Sequence, residues 1–175
     1  MNAPYTVRPA VPLDAAGYIR LIKDVLREQP PVDTPYAPDE FDPSADAMRD
    51  RIQIVSRSDN DLFLVAEAGH KVIGALTCAG GTLKADRHKT DLGVYVAAGW
   101  RDRGVGTALL AYTVAWAARS PVVARVELEV FAANARAIHL YEKFGFQREG
   151  LKRGLYQRAG QPLDMLIMAR LFPKG

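Results

Sequence analysis

The chain has 175 residues, of which 49% are hydrophobic and 25% are charged, and this balance fits one globular domain with a real core. A net charge of +3 is too small an excess to indicate a nucleic-acid-binding face. Apolar runs fall short of the roughly 18 residues that span a bilayer, and residues 1–10 lack the apolar segment of a signal peptide. We therefore expect a cytoplasmic protein with neither nucleic-acid nor membrane partners.

The first two predicted helices are separated by a proline-rich loop. A short strand at 5–8 precedes a helix over 12–28. Apolar residues recur along that helix at near-helical spacing: Leu13, Ile19, Ile22 and Leu26. The loop 29–43 contains five prolines and cannot form a regular helix. Ser44 is suited to cap a second helix. That helix places three apolar residues on one face: Met48, Ile52 and Val55.

The middle of the chain alternates between strands and turns. Strands at 61–67 and 71–79 are predicted to form a hairpin around residues 68–70. A polar loop at 82–89 leads to a fourth strand over 90–97. A helix then runs from about residue 104 to 118 and stops before Pro121.

The C-terminal part predicts a strand, a helix and a last hairpin. The strand covers 122–131, and Asn134 and Gly145 mark the start and the end of the helix. The hairpin pairs 146–156 with 163–171. The whole order of elements predicts one α/β domain over 1–175, with a mixed, mainly antiparallel sheet flanked by about four helices.

Cysteine and histidine usage gives no sign of a metal site. Cys78 is the only cysteine, and its apolar neighbours predict a small buried side chain. The three histidines are scattered without the spacing of metal ligands: His70, His88 and His139. The sequence thus predicts neither a disulfide nor a metal ion.

A glycine turn joins the fourth strand to the third helix. Gly104 and Gly106 carry no Cβ atom, so a ligand can approach the backbone closely. The first amides of the helix have no intrahelical partner and bear partial positive charge. Together these features favour an anion such as a pyrophosphate, with Arg101 and Arg103 as cationic donors nearby. Glycines that merely permit a sharp turn are the alternative.

The turn also carries a family pattern. Arg101-x-x-Gly104-x-Gly106 resembles motif A of the GNAT family of N-acetyltransferases, [RQ]-x-x-G-x-[GA], although Ala98 stands where members often have proline. In that family the loop holds the pyrophosphate of coenzyme A. The resemblance implies acetyl-CoA as co-substrate. It assigns these residues to the coenzyme A site: Val94, Tyr95, Val96, Arg101, Asp102, Arg103, Gly104, Val105, Gly106 and Thr107.

Residues 128–146 match a second signature of the same family, L-x-V-x-x-x-N-x-x-A-x-x-x-Y-x-x-x-G-F. From its position alone, Asn134 is suited to cap the helix and Tyr141 to pack in the core. The resemblance implies in addition that Asn134 contacts the pantetheine arm and that Tyr141 meets the sulfur. It covers residues 91–170, and the N-terminal half fits in element order only.

Acetyl transfer to an amine needs a base and an acid. An alkylammonium has a pKa of about 10.4, so a base must remove its proton before attack on a thioester. Glu129 lies where the ribosomal-protein alanine N-acetyltransferases of this family carry their catalytic glutamate, and it is the predicted base; Asp91 and Glu127 are the alternatives. Tyr141 is the predicted acid. The resemblance also implies an oxyanion donor among the N–H groups of residues 94–96.

The predicted function is acetyl transfer by direct attack in a ternary complex, because no serine or cysteine looks like an activated nucleophile. The predicted acceptor is a small-molecule amine such as an amino acid, or a protein N-terminus. In this fold the loop 29–43 usually covers the acceptor. Tyr36 and Phe41 are predicted to line the acceptor site, with an ordinary loop as the alternative. The competing function is a catalytically silent acyl-CoA sensor, and homodimers are common in the family.

Overall fold

The computed structural model describes residues 4–174 and contains one seven-stranded sheet. Its strands are β1 Thr6–Pro9, β2 Leu62–Ala68, β3 Lys71–Gly80, β4 Lys89–Val96, β5 Arg125–Phe131, β6 Gln147–Arg158 and β7 Gln161–Leu171. Their order is β1-β2-β3-β4-β5-β7-β6, and all neighbours pair antiparallel except β4 and β5. The predicted mixed, mainly antiparallel sheet is confirmed. Residues 1–3 and 175 of the predicted domain lie outside the described part.

Four α-helices flank this sheet within the described residues, as predicted: α1 Ala15–Leu26, α2 Ala45–Val55, α3 Val105–Arg119 and α4 Ala135–Lys143. Helices α1 and α2 bury Ile22 and Ile52 in a cluster on one face. Helices α3 and α4 bury Leu109 and Tyr141 in a cluster on the other. A fully buried side chain of this size stabilises the fold by about 1.5–3 kcal/mol. Between residues 4 and 174, none of the helices has both the length and the apolar character needed to cross a bilayer.

Local capping signals fix two helix starts and one helix end. The Ser44 hydroxyl accepts from the Ala47 amide at 3.1 Å at the start of α2, and the side-chain oxygen of Asn134 accepts from the Ala137 amide at 3.0 Å at the start of α4. Gly145, with φ +79°, ends α4 in the left-handed conformation. These three predictions are confirmed.

Two predicted boundaries are wrong, because side chains near each boundary hold the backbone in another shape. Leu13 lies in a 3-10 turn, Pro12–Asp14, and is 90% exposed. The Asp14 carboxylate accepts from the Val11 amide at 2.8 Å and pairs with Arg8 at 2.7 Å, so α1 begins only at Ala15.

Strand β5 begins three residues later than predicted, at Arg125 instead of Val122. The Ser120 hydroxyl oxygen accepts from the amides of Val122 and Val123 at 3.1 and 2.9 Å. This turn keeps the two valines out of the strand, although Val123 is still fully buried.

Strands β4 and β5 diverge after a short paired stretch. Their parallel pairing covers Lys89–Asp91 opposite Arg125–Glu127 and goes no further. Strand β4 stays paired to β3 as far as Val96, and the Ala97 amide donates to Ile73 at 2.9 Å. Because backbone groups alternate along a strand, those of Val94 and Val96 point into the gap beside β5. This gap positions the site.

Candidate active site

The gap between β4 and β5 opens into a pocket between the N-terminal end of α3 and one side of α4. We call it the first pocket, and its volume is about 390 Å³. Its lining contains ten of the twelve predicted coenzyme A residues: Val94, Val96, Arg101, Asp102, Gly104, Val105, Gly106, Thr107, Asn134 and Tyr141. A volume of this size is typical of small-molecule sites.

The N-terminus of α3 is left open toward this pocket. Gly104 is its N-cap, with φ +83° and no side-chain cap, whereas α2 and α4 are capped by Ser44 and Asn134. The amides of the first turn of α3, from Val105 to Thr107, therefore remain available to an anion. Their position fits the pyrophosphate of acetyl-CoA.

The two glycines of the turn serve different needs. Gly104 adopts a left-handed conformation that favours glycine, and a Cβ there would lie 3.2 Å from the Tyr5 hydroxyl. A Cβ at Gly106 would meet only the ordinary contact of Leu140, at 3.5 Å. The left-handed turn therefore favours glycine at position 104, while Gly106 leaves space on the pocket side.

Arg101 is engaged by a distant carboxylate. Its two terminal nitrogens pair with Glu28 at 2.7 and 2.8 Å, and its Nε donates to the Val96 carbonyl at 3.1 Å. The side chain thus links the turn to the residue Glu28 that follows α1, and it donates a hydrogen bond to the Val96 carbonyl. The proposed donation from Arg101 to a pyrophosphate stays a prediction.

The other charged residues of the turn have partners at the surface. The Arg103 guanidinium lies 5.5 Å from the centre of the Trp100 ring and does not line the first pocket. Asp102, with φ +59°, pairs with Arg136 at 3.0 Å. Asp102 is therefore a link between the turn and α4.

The sequence reasoning missed a basic side of the first pocket. Arg136, His139 and Lys143 line it from α4. Their spacing of three and four residues places them on one face of the helix. The spacing of these residues after the Asn134 cap would have been enough to predict a basic face on α4.

A second pocket of about 210 Å³ lies on the other side of the gap. It shares four residues with the first pocket: Val94, Asn134, Ala137 and Tyr141. Asp33 and Pro35 reach it from the proline-rich loop, and Glu129, Phe131 and Met165 line it from the sheet. Two pockets thus meet at Tyr141.

The loop brings different residues to the second pocket from those predicted. Phe41 packs edge-on against Tyr18, with ring centres 6.2 Å apart, and Tyr36 is 49% exposed. Neither lines the second pocket. Asp33 and Pro35 were missed because their side chains carry no pattern in the sequence. Substrate contacts of Tyr36 and Phe41 stay predictions.

Tyr95 differs from the valines on either side of it. Val94 and Val96 pack with the α3–α4 cluster, whereas Tyr95 packs with the α1–α2 cluster and lines the second pocket. Burial raises the pKa of Tyr95, and its hydroxyl lies beside Thr34. Tyr95 therefore faces the proline-rich loop 29–43.

Tyr141 is buried where the two pockets meet. Its ring centre lies 5.9 Å from that of Phe146 in the core. Burial raises the pKa of its hydroxyl to about 12. The phenol therefore stays protonated at neutral pH and can donate a proton or a hydrogen bond.

Three carboxylates follow the edge of the gap, and only one of them lines the second pocket. Glu129 does so while pairing with Lys152. Burial raises the pKa of Glu127, but Lys89 at 2.8 Å and Arg125 at 2.7 Å outweigh it and hold that pKa at about 2. Burial, aided by Glu127, raises the pKa of Asp91. In the described chain, no three metal-binding side chains gather at one point.

Comparison with known proteins agrees with this geometry. The sequence profile of the acetyltransferase (GNAT) family matches residues 20–146. The L-amino acid N-acetyltransferase AaaT of Escherichia coli K12 is 36% identical over 108 residues, covering 62% of this chain and 67% of its own length.

Solved structures share the fold over almost the whole chain. A GNAT-family acetyltransferase from Streptococcus pneumoniae superposes with a TM-score of 0.90 at 27% identity, covering 97% of this chain and 99% of its own. A phosphinothricin acetyltransferase from Sinorhizobium meliloti, in complex with acetyl-CoA, superposes at 0.80 and 23% identity over 98% of this chain and 90% of its own.

Proposed function

The chain belongs to the GNAT family of acetyltransferases and transfers an acetyl group from acetyl-CoA to an amine, and on this premise we propose that the acceptor is the α-amine of a free L-amino acid. The observation that carries the proposal is the second pocket, which meets the first at Tyr141 and holds two carboxylates, Asp33 and Glu129. An ammonium group is the ligand that such carboxylates attract. AaaT, named for its action on L-amino acids, supports the same acceptor class.

The size and lining of the second pocket suit a single amino acid. At about 210 Å³ it is smaller than the first pocket. Pro35, Phe131 and Met165 give it an apolar wall. Such a wall favours an acceptor with an apolar side chain, because burying apolar surface is favourable.

On the other side of Tyr141, residues of the first pocket hold acetyl-CoA. The open amides from Val105 to Thr107 bind its pyrophosphate, and the basic side chains of α4, Arg136 and Lys143, face its negative charge. Bound there, acetyl-CoA supplies the thioester that carries the acetyl group.

Glu129 then acts as the base. It lines the second pocket, whereas Glu127 is fixed between Lys89 and Arg125 and is too weakly basic with a pKa of about 2. Asp91 does not line the second pocket. Glu129 removes the proton from the acceptor ammonium and exchanges its partner Lys152 for that group.

Val94 and Tyr141 stabilise the negative charge that develops on the carbonyl oxygen and on the departing sulfur, respectively. The Val94 amide points into the gap between the pockets, and a fixed N–H is suited to stabilise the carbonyl oxygen as negative charge develops. The Tyr141 hydroxyl donates a proton toward the departing thiolate. Attack is direct, with both substrates bound at once.

Thiol release from acetyl-CoA tests the proposal. The acceptor panel contains apolar and charged L-amino acids, their D-enantiomers, polyamines, aminoglycosides and peptides with free N-termini. We expect release with apolar L-amino acids above all. Release driven only by peptides would move the acceptor to a protein N-terminus. Tight acetyl-CoA binding without release by any amine would support the sensor.

We also propose that the protein is a homodimer in the cytoplasm. Three large apolar side chains exposed on the edge strand β6 support the dimer: Leu151, Leu155 and Tyr156. Light scattering after gel filtration measures the assembly state.

A further inference from the structure

A side chain at the tip of the β6–β7 hairpin contacts the proline-rich loop 29–43. Arg158 is the last residue of β6, and its Nη2 donates to the carbonyl oxygens of Val32 at 3.1 Å and Thr34 at 3.2 Å. Its Nη1 lies 3.9 Å from the Asp33 carboxylate. Arg158 therefore contacts three consecutive residues of the loop.

The same guanidinium also faces the wall of the second pocket. Its Cζ lies 5.9 Å from the centre of the Phe131 ring. Phe131 and Asp33 both line the second pocket. A planar guanidinium can donate to carbonyl groups while resting on an aromatic face, which an ammonium cannot do equally well. Arg158 thus joins two sides of one pocket.

Within segment 32–34, Val32 packs against the α1–α2 cluster and the Thr34 hydroxyl accepts from the Tyr36 amide at 3.3 Å, whereas the Asp33 carboxylate pairs with Arg158. The segment lies between α1 and α2, outside any helix or strand. Thr34 is buried beside Tyr95, but the Asp33 carboxylate is 38% exposed. On β6 almost every residue is exposed, and Arg158 is one of two that are not. The contact with the loop accounts for that burial.

The geometry points to Arg158 as a positioning residue for the acceptor amine. By holding the carbonyls on both sides of Asp33, it keeps the Asp33 carboxylate facing the second pocket. The inference rests on the proposed function, since Asp33 acts here as a partner of the acceptor ammonium. Arg158 works through Asp33 and does not touch the reacting atoms.

Hydrogen exchange tests the structural half of this inference without any turnover. The variants are Arg158→Ala and its control Arg153→Ala. Arg153 is exposed on the same strand and makes no side-chain hydrogen bond or ion pair within residues 4–174. The amides of Val32, Asp33, Thr34 and Tyr36 should exchange faster in Arg158→Ala and as in wild type in Arg153→Ala. Equal exchange in all three proteins overturns the inference.

Arg158→Lys keeps the charge but not the planar fork, and its amide exchange rates should be intermediate. This variant replaces Arg158→Ala if that protein does not fold.

Steady-state kinetics test whether Arg158 affects binding of the acceptor through Asp33. Arg158→Ala should raise the acceptor KM about tenfold, with kcat and the KM for acetyl-CoA nearly unchanged. Adding Arg158→Ala to Asp33→Asn should not raise the acceptor KM beyond that of Asp33→Asn alone, because one residue acts through the other. Additive effects, an unchanged acceptor KM or an equal rise in the KM for acetyl-CoA would each overturn it. Absence of turnover in wild type would count against the proposed function instead, and the exchange comparison would still decide the role of Arg158.

Discussion

Tyr141 combines a core position with its proposed role as the catalytic acid. Its ring packs against Phe146, as expected of an aromatic residue on the apolar side of α4. The same burial raises the pKa of its hydroxyl to about 12 and places the residue between the two pockets. The environment that stabilises the fold therefore also keeps the phenol protonated, as its proposed role as an acid requires.

Removing the Tyr141 hydroxyl should slow the chemical step. We expect Tyr141→Phe to lower kcat by about 10²-fold or more, the usual contribution of a positioned acid. The dissociation constant of acetyl-CoA should change little. In wild type, kcat should show no fall caused by this tyrosine below about pH 10, because its pKa lies near 12. Tyr112→Phe, a change on α3 outside both pockets, is the matched control. Equal kcat values for the two variants would remove Tyr141 from the mechanism.

Glu129 and Glu127 share one face of β5 but have separate roles. Glu129→Gln should lower kcat by about 10²-fold, as expected for loss of a general base. Glu127→Gln should leave kcat within a few-fold of wild type. Steady-state rates with the best acceptor of the panel measure both. A larger loss in Glu127→Gln than in Glu129→Gln would reverse the assignment.

Glu127 should instead affect stability in a pH-dependent way. Its pKa is lowered from 4.5 to about 2 in the folded protein. A carboxyl with a lowered folded pKa stabilises the fold above its unfolded pKa, and this contribution is lost as the pH falls from about 4.5 to 2. Urea unfolding at pH 7 should therefore separate wild type from Glu127→Gln, and the difference should vanish near pH 2. A difference that does not depend on pH would contradict this.

Among the elements, the junction of β4 and α3 is the proposed coenzyme A site. Strand β4 leaves β5 after three paired residues, and α3 begins at an N-cap that has no side chain of its own. Both features leave backbone groups open to a ligand, apart from the Val96 carbonyl, which accepts from Arg101. A ligand that bears phosphates and a carbonyl would supply hydrogen-bond acceptors for the open backbone N–H groups.

A methyl group at Gly104 should disturb this junction. Gly104→Ala forces a left-handed conformation on alanine, which costs about 1–2 kcal/mol, and brings its Cβ close to Tyr5. We expect a lower melting temperature and weaker acetyl-CoA binding by calorimetry. Gly99→Ala is the control, because a Cβ there meets no atom within 4 Å. Unchanged binding in Gly104→Ala would mean that the turn is not the pyrophosphate site.

The Arg101–Glu28 pair separates two roles for the motif arginine. If Arg101 chiefly ties the turn to α1, Arg101→Gln and Glu28→Gln should each lower stability by about 1–3 kcal/mol, the worth of hydrogen bonds to a charged group. Their affinities for acetyl-CoA should then fall alike. A large loss of affinity in Arg101→Gln alone would show direct contact with the pyrophosphate.

At the scale of the whole molecule, the sequence predicted what local signals determine. The order of strands and helices, the caps at Ser44 and Asn134 and the left-handed Gly145 follow from residues within a few positions of each other. The start of β5 was missed because Ser120 holds the preceding valines through hydrogen bonds that hydrophobicity does not report.

Contacts between distant parts of the chain could not be predicted in this way. Arg101 meets a carboxylate 73 residues earlier. Arg158 meets carbonyls more than 120 residues earlier, and Asp33 enters the second pocket only because the loop is folded back on the sheet. The lining of the second pocket was harder to predict than the glycine turn, because five separate segments of the chain build that pocket together.

In the proposed mechanism, two pockets joined at Tyr141 hold acetyl-CoA and an amino acid at the same time. Initial rates, measured while both substrates are varied, test it most directly. Double-reciprocal plots should intersect, because transfer occurs within a ternary complex. Parallel lines, which indicate a covalent acetyl-enzyme, would contradict the direct attack proposed here.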